Sequence, residues 1–168
     1  MTRPATTFRA LTQHECVLLL RRSDVGRLAF VADGRPEIVP LNYVHEAGRI
    51  YGRTSASAKL AALAEGAWVA FEVDEIRGRY DWWSVVIHGT FHRIGVDCIL
   101  EGVADGDGSD AASIARAIGL LRAMDPVVFT TEDPTPHRTL LFRIVVGTMS
   151  GRMASTGPPG KAWREDEQ

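Results

Sequence analysis

Residues 26–53, GRLAFVADGRPEIVPLNYVHEAGRIYGR, constrain the fold more than any other stretch. Three β-compatible runs are separated by two short turn signals, Asp33-Gly34 and Glu46-Ala47-Gly48. Asp-Gly between apolar runs suits a two-residue hairpin, in which both central positions take positive φ. Parallel strands would need a crossover of about a dozen residues, and neither turn has room for one. An antiparallel meander is therefore predicted. Pro40 stands inside its middle strand and cannot donate to a ladder. Such a proline belongs at an edge, or where something other than a strand approaches the backbone.

The rest of the chain extends this pattern. Thr12 and Glu15 have the spacing of a capping box, with Leu11 placed to staple onto Cys16, and a short helix is predicted to about Arg22. Residues 57–64 are dense in alanine, leucine and lysine and predict a two-turn helix. From 68 to 74, Val69, Phe71 and Val73 alternate with Ala70, Glu72 and Asp74, the mark of a half-buried strand. A charged loop with Arg77 and Arg79 precedes a long strand over 81–94, in which Gly89 signals a bulge or a barrel corner. The acidic, glycine-rich run 101–110 reads as a loop. A helix follows over about 111–124, with Ile114, Ile118, Leu121 and Met124 at core spacing. Residues 126–136 connect it to a last strand over 139–149. The expected fold is mostly β (α+β): six antiparallel strands in a small closed or partly closed barrel with a few short helices. Its domain spans 11–152, between a flexible N-terminus (1–10) and a flexible tail (153–168).

Composition narrows the function. At 168 residues the chain can bury a full core without disulfides or a structural metal. A net charge of −2, with both signs mixed along the chain, argues against nucleic acid as a partner. No apolar run reaches membrane-span length, and MTRPATTFRA has no apolar core of a secretory signal. Cys16 and Cys98 have no CxxC partner, which fits a reducing compartment. A cytoplasmic protein without a membrane partner is expected.

Of nineteen basic residues only Lys59 and Lys161 are lysines. Lys59 lies at the predicted start of the 57–64 helix, beside Thr54, Ser55 and Ser57 and just after Arg53. Unpaired helix N–H groups, the positive end of the macrodipole, hydroxyl donors and a cation converge there, which is the chemistry of a phosphate cradle. The plainer reading of the same residues is a helix cap with a solvated lysine.

Other constellations offer less. His88 and His92 are four apart in a strand, too far for one ion to bridge easily, and His14, His45 and His137 are scattered, so no metal site is expected. DGDGSD at 105–110 resembles a calcium loop, but Asp110 stands at its sixth position and Arg116 at its twelfth, where glycine and glutamate are needed. No GxSxG, P-loop or GxGxxG is present. Trp82 and Trp83 must point to opposite faces of their strand, one inward and one outward. An outward indole covers a partner subunit or a flat ligand, or is itself covered by a loop.

VGRLAFVADGRPEIVPLNYVHEAGRIYGRTSASAKLAAL, VAFEVDE and WWSVVIHGTFHRI, in this order, resemble the pyridoxamine 5'-phosphate oxidase-like flavin-binding split-barrel family, in particular its nitroimidazole-resistance-reductase-like branch. The resemblance covers residues 11–95 well and 138–152 more loosely. It implies a six-stranded antiparallel split β-barrel, a homodimer with FMN at the interface and an FMN-dependent, nitroreductase-like oxidoreductase acting on a small organic molecule. The backbone of Val39, Pro40, Leu41 and Asn42 would run along the isoalloxazine. Arg53 and Thr54 would meet the ribityl chain and phosphate, Ser57 and Lys59 would hold the phosphate, and Ser84, flanked by Trp83 and Val85, would close on the flavin. The arginine and histidine that grip substrate in true pyridoxamine phosphate oxidases have no match in GPPGKAWREDEQ. Two alternatives stand: the deazaflavin F420 in the same cradle, and a non-catalytic flavin-binding or storage protein. No acid or base is assigned, although Tyr43, His45 and His88 lie nearest the implied flavin.

Overall fold

The computed structural model describes residues 5–55, 63, 65–94 and 109–156. Among the described residues nine elements follow one another: β1 (Thr6–Ala10), α1 (Gln13–Arg22), β2 (Val25–Ala32), β3 (Arg35–Glu46), β4 (Arg49–Thr54), β5 (Trp68–Gly78), β6 (Asp81–Ile94), α2 (Ser109–Met124) and β7 (Leu140–Thr156). The predicted 57–64 helix, with Ser57 and Lys59, lies outside the described residues except for Leu63. The 101–108 part of the acidic loop lies outside them too.

The strands run in the order β1-β7-β4-β3-β2-β5-β6, and β6 pairs again with β7. Six strands thus close on themselves as a split barrel, with every pairing antiparallel. Both tight turns form as their residues dictate. Asp33 and Gly34 take φ of 52° and 72°, and Ala47 and Gly48 take 47° and 73°. At Gly89 the β6–β7 register slips, so that His88 faces Thr148 while Gly89 faces Val146. A Cβ on Gly89 would lie 2.3 Å from the Val145 carbonyl oxygen, which is why the bulge needs glycine.

The capping box at α1 is complete. Thr12 Oγ1 accepts from Glu15 N at 3.2 Å, and Glu15 Oε2 accepts from Thr12 N at 2.7 Å. Arg9 of β1 then donates to both Glu15 carboxylate oxygens, at 3.0 and 2.6 Å, and so ties the strand to the helix.

Two differences from the sequence reading concern the chain ends. Residues 6–10, expected to be loose, form β1 against the far end of β7, with Thr6 opposite Thr156 and Ala10 opposite Arg152. β7 in turn continues to Thr156 instead of stopping near Met149, because β6 and β1 flank it there and bury Met153 and Ala154. The barrel interior holds Leu28, Phe30, Tyr43, Phe71, Trp83, Val85, Phe91 and Phe142. A second, smaller core lies outside the barrel wall, where Ile114, Ala117 and Leu121 of α2 pack on Tyr51, Ile94 and Leu141. The predicted spacing of apolar residues along α2 is what delivers this face.

Candidate functional site

Strand β3 changes partner midway. Residues 35–42 pair with β2, and residues 43–46 pair with β4. Tyr43 N donates to Asp24 O at 2.9 Å, so by strand alternation the backbone groups of Leu41 and Val39 also face β2. Those of Ile38, Pro40 and Asn42 face the other way. The Asn42 carbonyl is met by β4: a Cβ on Gly52 would stand 2.9 Å from it. Ile38 and Pro40 have no such strand among the described residues. Pro40 therefore sits on an open edge, where its missing N–H costs no ladder bond. One of the two environments anticipated for that proline is the one it occupies.

Beside this edge lies a cleft of about 250 Å³ lined by Asp24, Asn42, Arg53, Asp125, Thr135 and Arg138. Arg53 projects from β4 into its wall and is buried. Its Nη1 donates to Asp133 Oδ2 at 2.5 Å, and its Nη2 donates to Asp133 Oδ1 and Thr135 Oγ1, both at 2.9 Å. The Phe129 ring lies 5.0 Å from its Cζ. Asp133 accepts two backbone donors as well, Phe129 N at 2.9 Å and Thr135 N at 2.8 Å. The Arg53 guanidinium, foremost, and then these backbone donors hold its carboxyl far below the usual carboxylate range. Phe129 takes a φ of 60°, unusual for a bulky side chain, inside the loop that this cluster pins. Arg138 Nη1 reaches Asn42 Oδ1 at 3.4 Å across the mouth of the cleft.

The structure thus brings Asn42 and Arg53 together, with Pro40 and Val39 adjacent along β3. Thr54 is buried on the interior side of β4, the opposite side from Arg53. Ser84 is elsewhere. It lies on the barrel's outer face, opposite Asp74 on β5 and Arg152 on β7, and its hydroxyl donates to Glu72 at 3.0 Å. β2 and β5 separate it from β3, a distance of ~14 Å at ordinary strand spacing. Trp83 and Val85 point the other way, into the core. Trp83 is only 2% exposed, and its Nε1 donates to Glu75 at 3.1 Å. A group on the outer face would meet only the backbone of these two residues.

The residues that sequence reasoning missed are Asp133, Thr135 and Arg138. They arrive from the connection after α2, 80 to 96 residues from their partners, and no local pattern marks them. The three side chains near the implied flavin differ in what they can do. Tyr43 donates its hydroxyl to Leu20 O at 2.8 Å, and burial pushes its pKa up. Burial, with Arg21 nearby, lowers that of His45, whose Nδ1 has no partner among the described residues. His45 lines a larger cleft of about 370 Å³ between α1 and α2, which contains none of the predicted cofactor residues. His88 is exposed on the outer face. Among the described residues no group of histidine, cysteine and carboxylate side chains is arranged for a metal, and no helix is long and apolar enough to cross a membrane.

A family model described as pyridoxamine 5'-phosphate oxidase matches residues 12–153. An uncharacterized protein of Mycobacterium tuberculosis is 35% identical over 129 residues, 70% of this chain and 76% of that protein. An uncharacterized protein of Rhizobium meliloti is 28% identical over 86 residues, and the match spans 51% of this chain and only 57% of that protein. Among solved structures, an FAD-binding protein from Mesorhizobium loti superposes with a TM-score of 0.65 at 25% identity, covering 89% of this chain and 99% of that one. A proposed 5-nitroimidazole antibiotic resistance protein from Bacteroides thetaiotaomicron shares the fold, with a TM-score of 0.61 at 13% identity over 91% of this chain and 90% of that one.

Proposed function

Because the chain belongs to the pyridoxamine 5'-phosphate oxidase family, we propose that it is a homodimeric, flavin-dependent oxidoreductase acting on a small organic molecule. The observation that carries this reading is the open edge of β3 beside the anchored Arg53. An isoalloxazine is a flat ring with hydrogen-bonding groups along one rim. The Ile38 N–H and the Ile38 and Pro40 carbonyls lie in line along that edge, and Asn42 and Arg138 flank its end. In this reading the FMN half of the cofactor lies along Val39, Pro40, Leu41 and Asn42. Its phosphate is held by Ser57 and Lys59, where the sequence predicts a helix to start, with Arg53 and Thr54 leading into it. The bound flavin supplies two-electron redox chemistry. The chain orients the ring, holds the phosphate and limits access to the cleft.

Arg53 is an anchor more than a free cation. Asp133 already neutralises it, so its contribution is to fix the 125–138 loop as a wall of the cleft. This leaves Lys59 as the charge assigned to the phosphate. A second subunit enters for two reasons. A ring laid along the open edge of β3 lies on the side away from β2, β5 and β6, so it does not meet Ser84 of the same protomer. Val25, Val31, Ile38, Trp68 and Ile76 are also exposed large apolar side chains that a partner would cover.

Lys59→Ala tests the reading. The variant is expected to fold and melt like the wild type and to bind FMN at least tenfold more weakly in equilibrium dialysis. Unchanged FMN affinity would remove the phosphate assignment.

A further inference from the structure

Three adjacent strands carry an exposed aromatic pair on the barrel's outer face. Phe8 of β1 and Trp82 of β6 both lie opposite Ala154 of β7, one on either side of it. Their ring centroids are 6.4 Å apart, with planes at 58°. Both rings line a pocket of about 270 Å³, together with Arg9, Ala10, Arg152 and Met153. Phe8 is 62% exposed, a costly position for a phenylalanine with nothing on it. Arg9 is taken up by Glu15, whereas the exposed Arg152 makes no hydrogen bond or ion pair among the described residues. Arg152 stands two residues before Ala154 on the same face of β7, so the guanidinium and the aromatic pair are ~7 Å apart along the strand. The pocket suits an aromatic group followed by an anion at that spacing.

We infer that its occupant is the chain's own segment after β7, with Trp163 against Phe8 and Trp82 and with Glu165 on Arg152. Residues 157–168 lie outside the described residues, but β7 delivers the chain to this face at Thr156, opposite Thr6 and two residues past Ala154. Gly157-Pro158-Pro159-Gly160 follows, a turn signal of four residues. A chain that reverses over these four and returns extended brings Lys161 level with Thr156, Trp163 level with Ala154 and Glu165 level with Arg152. The period of two puts all three on one side of the returning segment, with Ala162, Arg164 and Asp166 on the other. The order matches as well, since the segment passes the aromatic pair first and the guanidinium second. β1 and β6 already flank β7 here, so the segment does not add to the sheet as a strand. It lies over the outer face, held by an indole against two rings and by one arginine–carboxylate pair. None of this depends on the flavin reading.

Limited chymotrypsin digestion of the full chain, followed by mass spectrometry, reads the docking at Trp163 itself. The protease must take that indole into its own hydrophobic slot, so a docked segment is cut only as often as it opens. Phe8→Ala/Trp82→Ala is expected to speed cleavage after Trp163 at least tenfold. Arg152→Glu and Glu165→Arg should each speed it severalfold, and the two together should restore the slow rate. A merely structural role for Arg152 would not give that rescue. The three pocket positions are on the surface, so the variants are expected to fold, as circular dichroism would verify. If the alanine pair fails to fold, Phe8→Leu/Trp82→Leu removes the rings while keeping apolar bulk. Co-expression of the platform variant with a Trp163→Ala chain separates the two possible sources of the segment. Docking within one chain leaves the platform variant rapidly cut in the mixture. Protection restored by mixing would place the segment on a second copy and overturn the assignment. Wild type cut as fast as the platform variant would overturn it too, and would leave the flavin reading untouched.

Discussion

At the scale of single residues, the site depends on one carboxylate. Asp133 receives the Arg53 guanidinium through two bonds and the backbone N–H groups of Phe129 and Thr135. Removing the charge leaves a buried guanidinium without its partner, and such half-broken pairs are among the costlier single changes. Asp133→Ala is expected to lower the melting midpoint by roughly 10 °C and to loosen the cleft wall, read as weaker flavin retention. A midpoint within a degree of wild type would show that Arg53 does not anchor the loop. Glu15 supplies the pH dependence. Chiefly its bond from Arg9, with help from Thr12, lowers its pKa from 4.5 to about 2. A depressed carboxylate adds stability that is fully present above the unfolded pKa and is lost as pH falls through the folded one. The window for Glu15 is thus from about 4.5 down to about 2. Glu15→Gln should flatten that part of an acid-unfolding profile. Thr12→Ala, which removes the other half of the box, should cost ~1 kcal/mol at neutral pH in urea unfolding.

At the scale of elements, what was legible in the sequence was whatever is decided locally. The Thr12–Glu15 box, the two tight turns, the alternation of β5 and the Gly89 bulge each depend on residues a few positions apart, and each forms where those residues stand. Strand β1 was not legible. Its alternation is weak, and its partner strand among the described residues is the far end of β7, so nothing within residues 6–10 specifies the pairing. The Asp133 anchor was hidden for the same reason, since it joins positions eighty apart. Trp82 and Trp83 fall between these cases. That they face opposite ways followed from strand geometry, but which one faces out depends on the register with β5 and β7. The bulge gives a direct test of local specification. Gly89→Ala pushes a methyl group against the Val145 carbonyl and should cost ~1–3 kcal/mol, measured by urea unfolding. A neutral effect would mean that the β6–β7 pairing is looser than its register implies.

At the scale of the whole molecule, the described residues give the barrel one side covered by a helix and loop and one side without such a cover. α2 and the 125–138 loop cover the wall around Tyr51 and Leu141. The outer face from β3 across β2, β5 and β6 to the end of β7 carries exposed Val31, Ile38, Trp68 and Ile76 around a charged centre of Arg27, Glu72 and Asp74. In the proposed dimer this apolar rim would be covered, and the paired charges at its centre would help set register. The same face separates Ser84 from the open edge of β3, so in the proposed reading the cofactor would be shared between two copies. This sharing is the central claim, and its most direct test is the mass and absorbance of the purified protein by size-exclusion chromatography with light scattering, before and after addition of FMN or FAD. The account predicts a species of twice the 18.4 kDa chain, with flavin absorbance travelling in the same peak at one cofactor per chain. A monomer that binds flavin, or a dimer that stays colourless after either addition, would contradict it.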